Sequence, residues 1–370
     1  MRMLVWHWGR RGAGPQFAVR LAQALNTLPG QSAALSLAAG AEILTGPNAP
    51  QCDWREPTYQ SRLGYITQSL ASPFLRPRTE AHLRQLMPDY AICAMPALLD
   101  VRMIMALNKL GTDYGVIVHD AEAHPGAALS FRALNQSRLL RSARHLFCLS
   151  THVEQTLHSQ GFGTKGQTLT KLWHPPFDLE AAIPAIQPTT RPKLLYFGRL
   201  LPYKGLDLLT DALEFLGDKR LFELRVCGDG PNSPALERLA AMQDVVVERR
   251  WFAENELPSL LTWADAMVLP YREASQSGVA ALALAAGRRV LATRVGGLPE
   301  QLDGHPGALL CAPDAPAIAK GLIELTKSLE NTYVVSNDSI SDWHAMAAAI
   351  IAICGHVRGG FQHGGVNPTG

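Results

Sequence analysis

Three segments in the second half of the chain place cations or small polar residues directly after short apolar runs. In Tyr196-Phe-Gly-Arg-Leu-Leu-Pro-Tyr-Lys-Gly205, Arg199 and Lys204 sit between a run ending at Gly198 and a helical pattern opening beyond Gly205. The start of a helix offers unpaired N–H donors and the positive end of its dipole, and with two cations beside it the loop can clamp a phosphate. A solvated turn with two ordinary charges would use the same residues. In Cys227-Gly-Asp-Gly-Pro231 the glycines let a ligand or a loop approach closely, though a plain turn would read the same way. In Pro270-Tyr-Arg-Glu-Ala-Ser-Gln-Ser-Gly-Val279, Ser275 or Ser277 can cap the apolar helix that follows, and Ser277, Gly278 and Val279 would offer backbone N–H groups. A capping serine needs no ligand, so the weight lies in the convergence of three segments. Together they imply a site for an anionic, phosphate-bearing ligand.

The first half carries weaker signals. Gly12-Ala-Gly14 follows an apolar run and could face the same ligand, but the full GxGxxG pattern is absent and no acidic residue is placed for a dinucleotide ribose. Nicotinamide and flavin dehydrogenases are therefore disfavoured. Val116-Ile-Val-His-Asp120 puts His119 and Asp120 at a strand end, with His124 just beyond, a polar group suited to a substrate hydroxyl or a developing charge. The structural alternative is a histidine bonded to a backbone carbonyl. The spacing fits no metal motif, and no metal is expected. Arg138, Arg141, Arg144 and His145 form one basic group and Arg76, Arg78 and Arg84 another; each is either a solvated face or a dock for phospholipid head groups or a lipid-linked phosphate.

These residues need a scaffold, and the apolar pattern supplies one. Strands are expected at 4–8, 91–95, 115–118 and 146–149, with helices over 16–25, 98–110 and 131–142 and another from His152; residues 30–60 are ambiguous. The stretch from Trp173 to Pro192 holds five prolines and reads as a linker. A second alternation follows, with strands at 194–197, 223–227, 245–247, 266–269 and 290–292. Helices at 206–216, 236–242, 257–263 and 278–286 separate them, and two more lie at 316–327 and 341–353. Alternating strands and helices mean parallel sheets covered on both faces. The expected fold is α/β, with two doubly wound Rossmann-like domains and a cleft between them. The expected division is 1–175, a linker at 176–192, 193–340, a C-terminal helix at 341–354 packing back on the first domain, and a flexible tail at 355–370.

Composition bounds the partners. With 370 residues, 47% hydrophobic and 18% charged, the chain can bury two cores. The net charge of +2 divides into +7 for residues 1–175 and −5 for the rest. No zinc-finger spacing or basic, aromatic stripe suggests nucleic acid. The six cysteines form no CxxC pair and fit buried thiols in a reducing, cytoplasmic setting. The N-terminus turns polar too early for a secretory signal, and the apolar stretches 279–286 and 345–354 are too short to span a membrane.

Taken together, HWGRRGAGP, VIVHDAEAHPG, YFGRLLPYKG, CGDGP, PYREASQSGV and AGRRVLATRVGGLPE resemble the segments of family 4 glycosyltransferases of the two-domain GT-B type. The resemblance implies transfer of a sugar from a nucleotide-diphosphate-sugar to a hydroxyl acceptor with retention of configuration, without a tightly bound cofactor. It places the acceptor mainly on the N-terminal domain and the donor on the C-terminal one. Gly12 and Gly14 would lie near the donor phosphates, and Arg199 and Lys204 would neutralise them. His119 would stand near the transferred sugar, and Gln276, Ser277, Gly278 and Val279 would contact sugar or phosphate. Such enzymes act in exopolysaccharide, lipopolysaccharide or glycolipid assembly, often at the cytoplasmic membrane face, on glycan or lipid-linked acceptors. The family's two glutamates separated by seven residues fall here on Ala274 and Leu282, in a segment like a subgroup reading A-[ST]-Q-S-G-V. Glu273 could take the first role through a one-residue shift; Leu282 cannot hold a ribose. A nucleotide-sugar epimerase and a non-catalytic nucleotide- or sugar-binding subunit are the alternatives.

Overall fold

The computed structural model describes residues 1–46, 48–121, 129–164, 166–176, 183–186, 191–329 and 339–359. His124, most of the expected linker and the end of the tail lie outside these residues.

The first sheet is built in the order β1 (Arg2–His7), α1 (Ala13–Thr27), β2 (Ser32–Ala38), β3 (Trp54–Glu56), α2 (Arg62–Leu86) and β4 (Tyr90–Cys93). It continues with α3 (Asp100–Leu110), β5 (Tyr114–Val118), α4 (Leu129–Ser142), β6 (His145–Cys148), α5 (Thr151–Ser159) and β7 (Thr168–Lys171). Its strand order is β3-β2-β1-β4-β5-β6-β7, and every pairing is parallel. Burial on both faces explains its apolar strands: Leu4, Val5 and Trp6 are all fully enclosed.

The second sheet repeats the plan with β8 (Lys193–Phe197), α6 (Leu206–Leu216), β9 (Glu223–Gly228), α7 (Pro234–Ala240), β10 (Val245–Arg249), α8 (Leu257–Trp263) and β11 (Ala266–Leu269). Then come α9 (Gly278–Ala285), β12 (Arg289–Thr293), α10 (Leu298–Leu302), β13 (Ala308–Cys311) and α11 (Ala315–Ser328). The order is β10-β9-β8-β11-β12-β13, again parallel throughout. In α6, Leu206, Leu209, Leu213 and Leu216 recur at helical spacing and are buried, each stabilising the domain by about 1.5–3 kcal/mol.

In both sheets the winding reverses at the first strand, between β1 and β4 and between β8 and β11. Such a reversal leaves a crevice beyond the C-terminal strand ends, where ligands of open α/β sheets bind.

The last helix, α12 (Ser339–Gly359), returns to the first sheet. Trp343, Met346, Ala347 and Ile350 join the core formed by α1 and β1. The Trp343 ring lies 4.9 Å from that of Phe17, and its Nε1 donates to the Pro176 carbonyl at 3.0 Å.

The 25-residue helix α2 has no counterpart in the sequence-based expectation. Pro73 and Pro77 lie inside it and remove two backbone donors. Four of its large apolar side chains face outward, so the usual inward apolar stripe is obscured.

Candidate active site

The two sheets face one another across a cleft of about 1270 Å3 lined from both sides. Its C-terminal wall is made of the three strand ends singled out above. After β8 the chain makes a single turn, Pro202–Lys204, and enters α6 through Gly205. Gly205 has φ of +68°, and a Cβ there would stand 1.8 Å from the Pro270 carbonyl oxygen. Only glycine lets this loop lie against the end of β11. The Arg272 N–H donating to the Tyr203 carbonyl at 2.8 Å fixes the same contact.

The loop delivers Arg199 and Lys204 to the cleft. Arg199 is exposed and donates through Nη2 to the Tyr203 hydroxyl at 2.6 Å. Lys204 is half-buried, with Nζ 3.6 Å from the Tyr271 ring centroid and 5.2 Å from that of Tyr203. Burial, and then the neighbouring Arg199 charge, lower its pKa to about 7, against a weaker opposing pull from Asp120. No carboxylate forms an ion pair with either cation among the described residues.

The third segment starts α9. Ser277 is its cap: the hydroxyl accepts from Ala280 N–H at 3.2 Å. Its own N–H is not offered to the cleft as expected, because it donates to Gln301 Oε1 at 3.0 Å while Gln301 Nε2 donates back to the Ser277 carbonyl. Gly278 and Val279 occupy the first turn, where N–H groups have no acceptor within the helix, and both line the cleft. Glu273 does not join them. It is exposed and absent from the cleft lining, while Ala274 behind it is held by its carbonyl to Gly297 N–H at 2.9 Å. A one-residue shift would break that bond, in a place so closely packed that a Cβ at Gly296 would stand 1.8 Å from the Ala274 carbonyl oxygen. Leu282 lines the cleft beside Val279 and Leu257, so this wall is apolar where the family pattern has its second glutamate.

The N-terminal wall begins at the start of α1. Gly12, in the left-handed region at φ +83°, is the residue before the helix, and Gly12, Ala13 and Gly14 line the cleft. Gly14 has a second reason to be glycine. A Cβ there, or at Gly9, would sit 2.4 Å from His7 Nε2. His7 ends β1, is buried, and has Nδ1 2.8 Å from the Met95 carbonyl; burial lowers its pKa to about 4. It is a wedge that the glycine loop wraps, and the sequence reading did not single it out.

His119 follows β5 and is 6% exposed. Nε2 lies 2.9 Å from the Ala94 carbonyl, which makes it the protonated nitrogen, and Nδ1 accepts from the Gln276 amide at 2.9 Å. Burial, then His174, pushes its pKa down to about 3. His119 is therefore neutral, and both nitrogens are engaged. The carbonyl bond that the sequence left as its structural alternative is present, together with a bond across the cleft. Gln276 Oε1 is buried and has no hydrogen-bond partner among the described residues. His174, also held near 4 by burial, lies 6.0 Å from the His119 ring, and Phe17 packs edge-on against both.

Further links join the walls. Ser150 Oγ donates to the Ser275 carbonyl at 2.9 Å, and Lys171 pairs with Glu300 at 2.7 Å. At the outer rim Trp251 Nε1 donates to Glu42 at 3.1 Å, with the Arg11 guanidinium 5.2 Å from the Trp251 ring. None of these pairs is close in sequence, and no local motif announces them. Of the expected site residues, the cleft brings together Gly12, Gly14, His119, Arg199, Lys204, Gln276, Ser277, Gly278 and Val279, and leaves out Glu273.

Residues 191–328 match the family model for glycosyl transferases group 1. A GDP-mannose:glycolipid 4-beta-D-mannosyltransferase of Xanthomonas campestris pv. campestris is 37% identical over 112 residues, 29% of this chain and 32% of that one. A D-inositol 3-phosphate glycosyltransferase of Streptomyces coelicolor is 37% identical over 143 residues, 35% of this chain and 31% of that one. The match thus spans about a third of the length of these curated relatives. Among solved structures, sucrose-phosphate synthase from Thermosynechococcus elongatus superposes with a TM-score of 0.67 at 17% identity, over 96% of this chain and 98% of that one. The chain thus has the two-domain GT-B fold, and within it residues 191–328 match glycosyl transferases group 1.

Proposed function

We propose that the chain is a glycosyltransferase of the EC 2.4 class that moves a sugar from a nucleotide-diphosphate-sugar to a hydroxyl acceptor. The observation that carries this reading is the cation pair Arg199 and Lys204, which forms no ion pair with a carboxylate among the described residues and lines the same two-sided cleft as the first turn of α9. Negative charge grows on the diphosphate as the glycosidic bond breaks. Fixed donors that meet it in a site closed to water stabilise the transition state more than the ground state. Arg199 and Lys204 supply charge, Gly278 and Val279 supply N–H groups at the positive end of α9, and the start of α1 at Gly12 faces them.

His119 and Gln276 hold the transferred sugar. A sugar hydroxyl that replaces the Gln276 amide donates to His119 Nδ1 in the same way, and one that donates to Gln276 Oε1 satisfies an atom otherwise without a partner. His119 is no general base here, because its basicity is suppressed by burial. We read the transfer as retaining, with the departing phosphate drawing the proton from the acceptor hydroxyl. The family resemblance supports this, and no tightly bound cofactor is needed. The acceptor is a glycan or lipid-linked saccharide presented at the cytoplasmic face of an anionic membrane, in exopolysaccharide, lipopolysaccharide or glycolipid assembly. The basic N-terminal half and the glycolipid acceptor in the Xanthomonas relative's name support that placement.

The test is calorimetric titration of the full chain with GDP-mannose, UDP-glucose, UDP-galactose and UDP-N-acetylglucosamine, followed by assay of nucleoside diphosphate release with added acceptors. At least one donor should bind and turn over, and Arg199→Ala with Lys204→Ala should lose both. Epimerised donor without transfer would establish the epimerase reading instead. Binding without turnover on any acceptor would establish a binding subunit. Proton NMR of the product anomer decides stereochemistry, and an inverted anomer would overturn the retaining reading.

A further inference from the structure

Helix α9 reads Gly-Val-Ala-Ala-Leu-Ala-Leu-Ala and carries no side-chain nitrogen or oxygen along its whole length. Leu282 stands three residues from Val279 and four from Gly278, so the three share one face, and all of them line the cleft. Leu282 therefore lies about 6 Å along the helix from Gly278.

The core of the C-terminal domain holds Leu282 in place. It belongs to the same buried cluster as Phe252, and Phe197, Leu257 and Val279 pack against that cluster. Phe197 meets Phe252 edge-on at 6.1 Å. These five side chains line the cleft together and make one apolar wall beside the first turn of α9. A leucine packed into a core cannot swing aside for a polar neighbour without leaving a cavity behind it.

The position of the wall decides what lies on it. A nucleotide sugar carries its two ends on opposite sides of the diphosphate. With the diphosphate on Arg199, Lys204 and the first turn of α9, and the transferred sugar on His119 and Gln276, the nucleoside takes the remaining side, where Val279 and Leu282 continue the helix. The furanose is attached directly to the first phosphate, so it is the part that meets Leu282. The wall can pack against furanose carbons, but it gives a hydroxyl no acceptor. The carboxylates that line the cleft among the described residues are Glu42, Asp120, Asp229 and Glu254, and none of them stands on α9. Glu42 already accepts from Trp251 Nε1.

Discrimination between ribose and 2′-deoxyribose depends on such an acceptor. A site built to bond a hydroxyl rejects the analogue that lacks it, because the polar group of the site is then left buried and unpaired. An apolar wall holds no such group, and removing the hydroxyl leaves nothing unsatisfied in the protein.

We propose that Leu282 makes the donor site indifferent to the 2′-hydroxyl, so that this protein takes 2′-deoxyribonucleoside diphosphate sugars as readily as their ribose counterparts. The proposal rests on the nucleotide-sugar reading of the cleft and deepens it into a donor specificity.

The experiment is calorimetric titration of the full chain with two matched pairs, UDP-glucose against 2′-deoxy-UDP-glucose and GDP-mannose against 2′-deoxy-GDP-mannose. Within a pair that binds, the two Kd values should agree within about threefold. A larger preference for the ribose form overturns the proposal, and Asp229→Asn and Glu254→Gln then show which carboxylate holds the hydroxyl. Leu282→Glu should introduce a ribose preference of about tenfold or more by supplying a charged acceptor. Leu282→Gln, with a neutral acceptor of the same reach, should introduce a smaller one and replaces it if thermal unfolding shows that the carboxylate unsettles the core. The ratio within a pair cancels any general loss of affinity, so a weakened variant still reports. A folded Leu282→Glu chain that stays indifferent places the furanose elsewhere and overturns the proposal as well. Failure of all four compounds to bind would overturn the nucleotide-sugar reading and this proposal with it, whereas a ribose preference in the wild-type chain overturns the proposal alone.

Discussion

Raising the pH should weaken donor binding, and the amount follows from Lys204. Burial and Arg199 hold its pKa near 7 in the free protein, so it is charged in about half the molecules at neutral pH and in about a tenth one unit higher. A bound diphosphate restores a counter-charge and holds the proton on Nζ. Binding then takes up a proton wherever the free lysine is neutral, and affinity falls as pH rises. The observed Kd should be nearly flat below about pH 6.5 and should climb about tenfold per unit between about pH 7.5 and 9, equivalent to about 1.4 kcal/mol per unit. At pH 8 about 0.9 proton should be taken up per donor bound.

An intact nucleotide sugar is the proper probe, because its doubly esterified diphosphate does not titrate in this range, whereas a terminal phosphate does, near pH 6. The cleft histidines His119 and His174 are silent, as is His7 behind the glycine loop, since burial holds them at about 3, 4 and 4. Calorimetry in two buffers of different ionisation enthalpy reads the proton uptake directly. Lys204→Met should bind about tenfold or more weakly at pH 6 and show no pH dependence. A flat Kd from pH 6 to 9 in the wild-type chain, with no buffer dependence of the enthalpy, would refute both the site and the charge assignment.

Two further outcomes test the scaffold. Gly205→Ala should destabilise the C-terminal domain by about 3 kcal/mol or more in urea, because its Cβ would meet the Pro270 carbonyl at 1.8 Å on a backbone at φ +68°; a loss below about 1 kcal/mol would show that the loop can move. Gln276→Glu should raise the His119 pKa by about two units or more, since a carboxylate facing Nδ1 can bond only if that nitrogen is protonated. Nitrogen-15 NMR of the imidazole reads the shift, and an unchanged titration would mean the cross-cleft bond does not exist in solution.

The parts of this architecture that the sequence revealed are those in which local pattern and tertiary role agree. Apolar strand runs such as Leu4–Trp6 and Leu194–Tyr196 are buried on both faces and announce a parallel sheet. That Arg199 and Lys204 share one cleft was legible because both fall in the short loop between the end of β8 and the start of α6. What escaped was decided by distant partners. The Ser277 N–H belongs to Gln301, 24 residues on, and the His119 ring is occupied by Gln276, 157 residues on. Gly14 reads as ligand-facing and does line the cleft, but the nearest group to a Cβ there is the His7 ring. Helix α2 was hidden because its prolines and outward leucines contradict the rule by which helices are recognised.

The return of α12 to the first sheet has a mechanical meaning. A chain that crossed between the two lobes once would leave them joined by a ball joint, able to swivel in any direction. This chain crosses once before β8 and again between α11 and α12. Two joins leave the lobes fewer ways to part than one would, and the rim pair of Trp251 and Glu42 and the floor pair of Gln276 and His119 add contacts between them. The same arrangement forbids a simple division of labour by truncation. A fragment ending before β8 would lack Trp343, Met346, Ala347 and Ile350 and would expose the face of α1 that they cover.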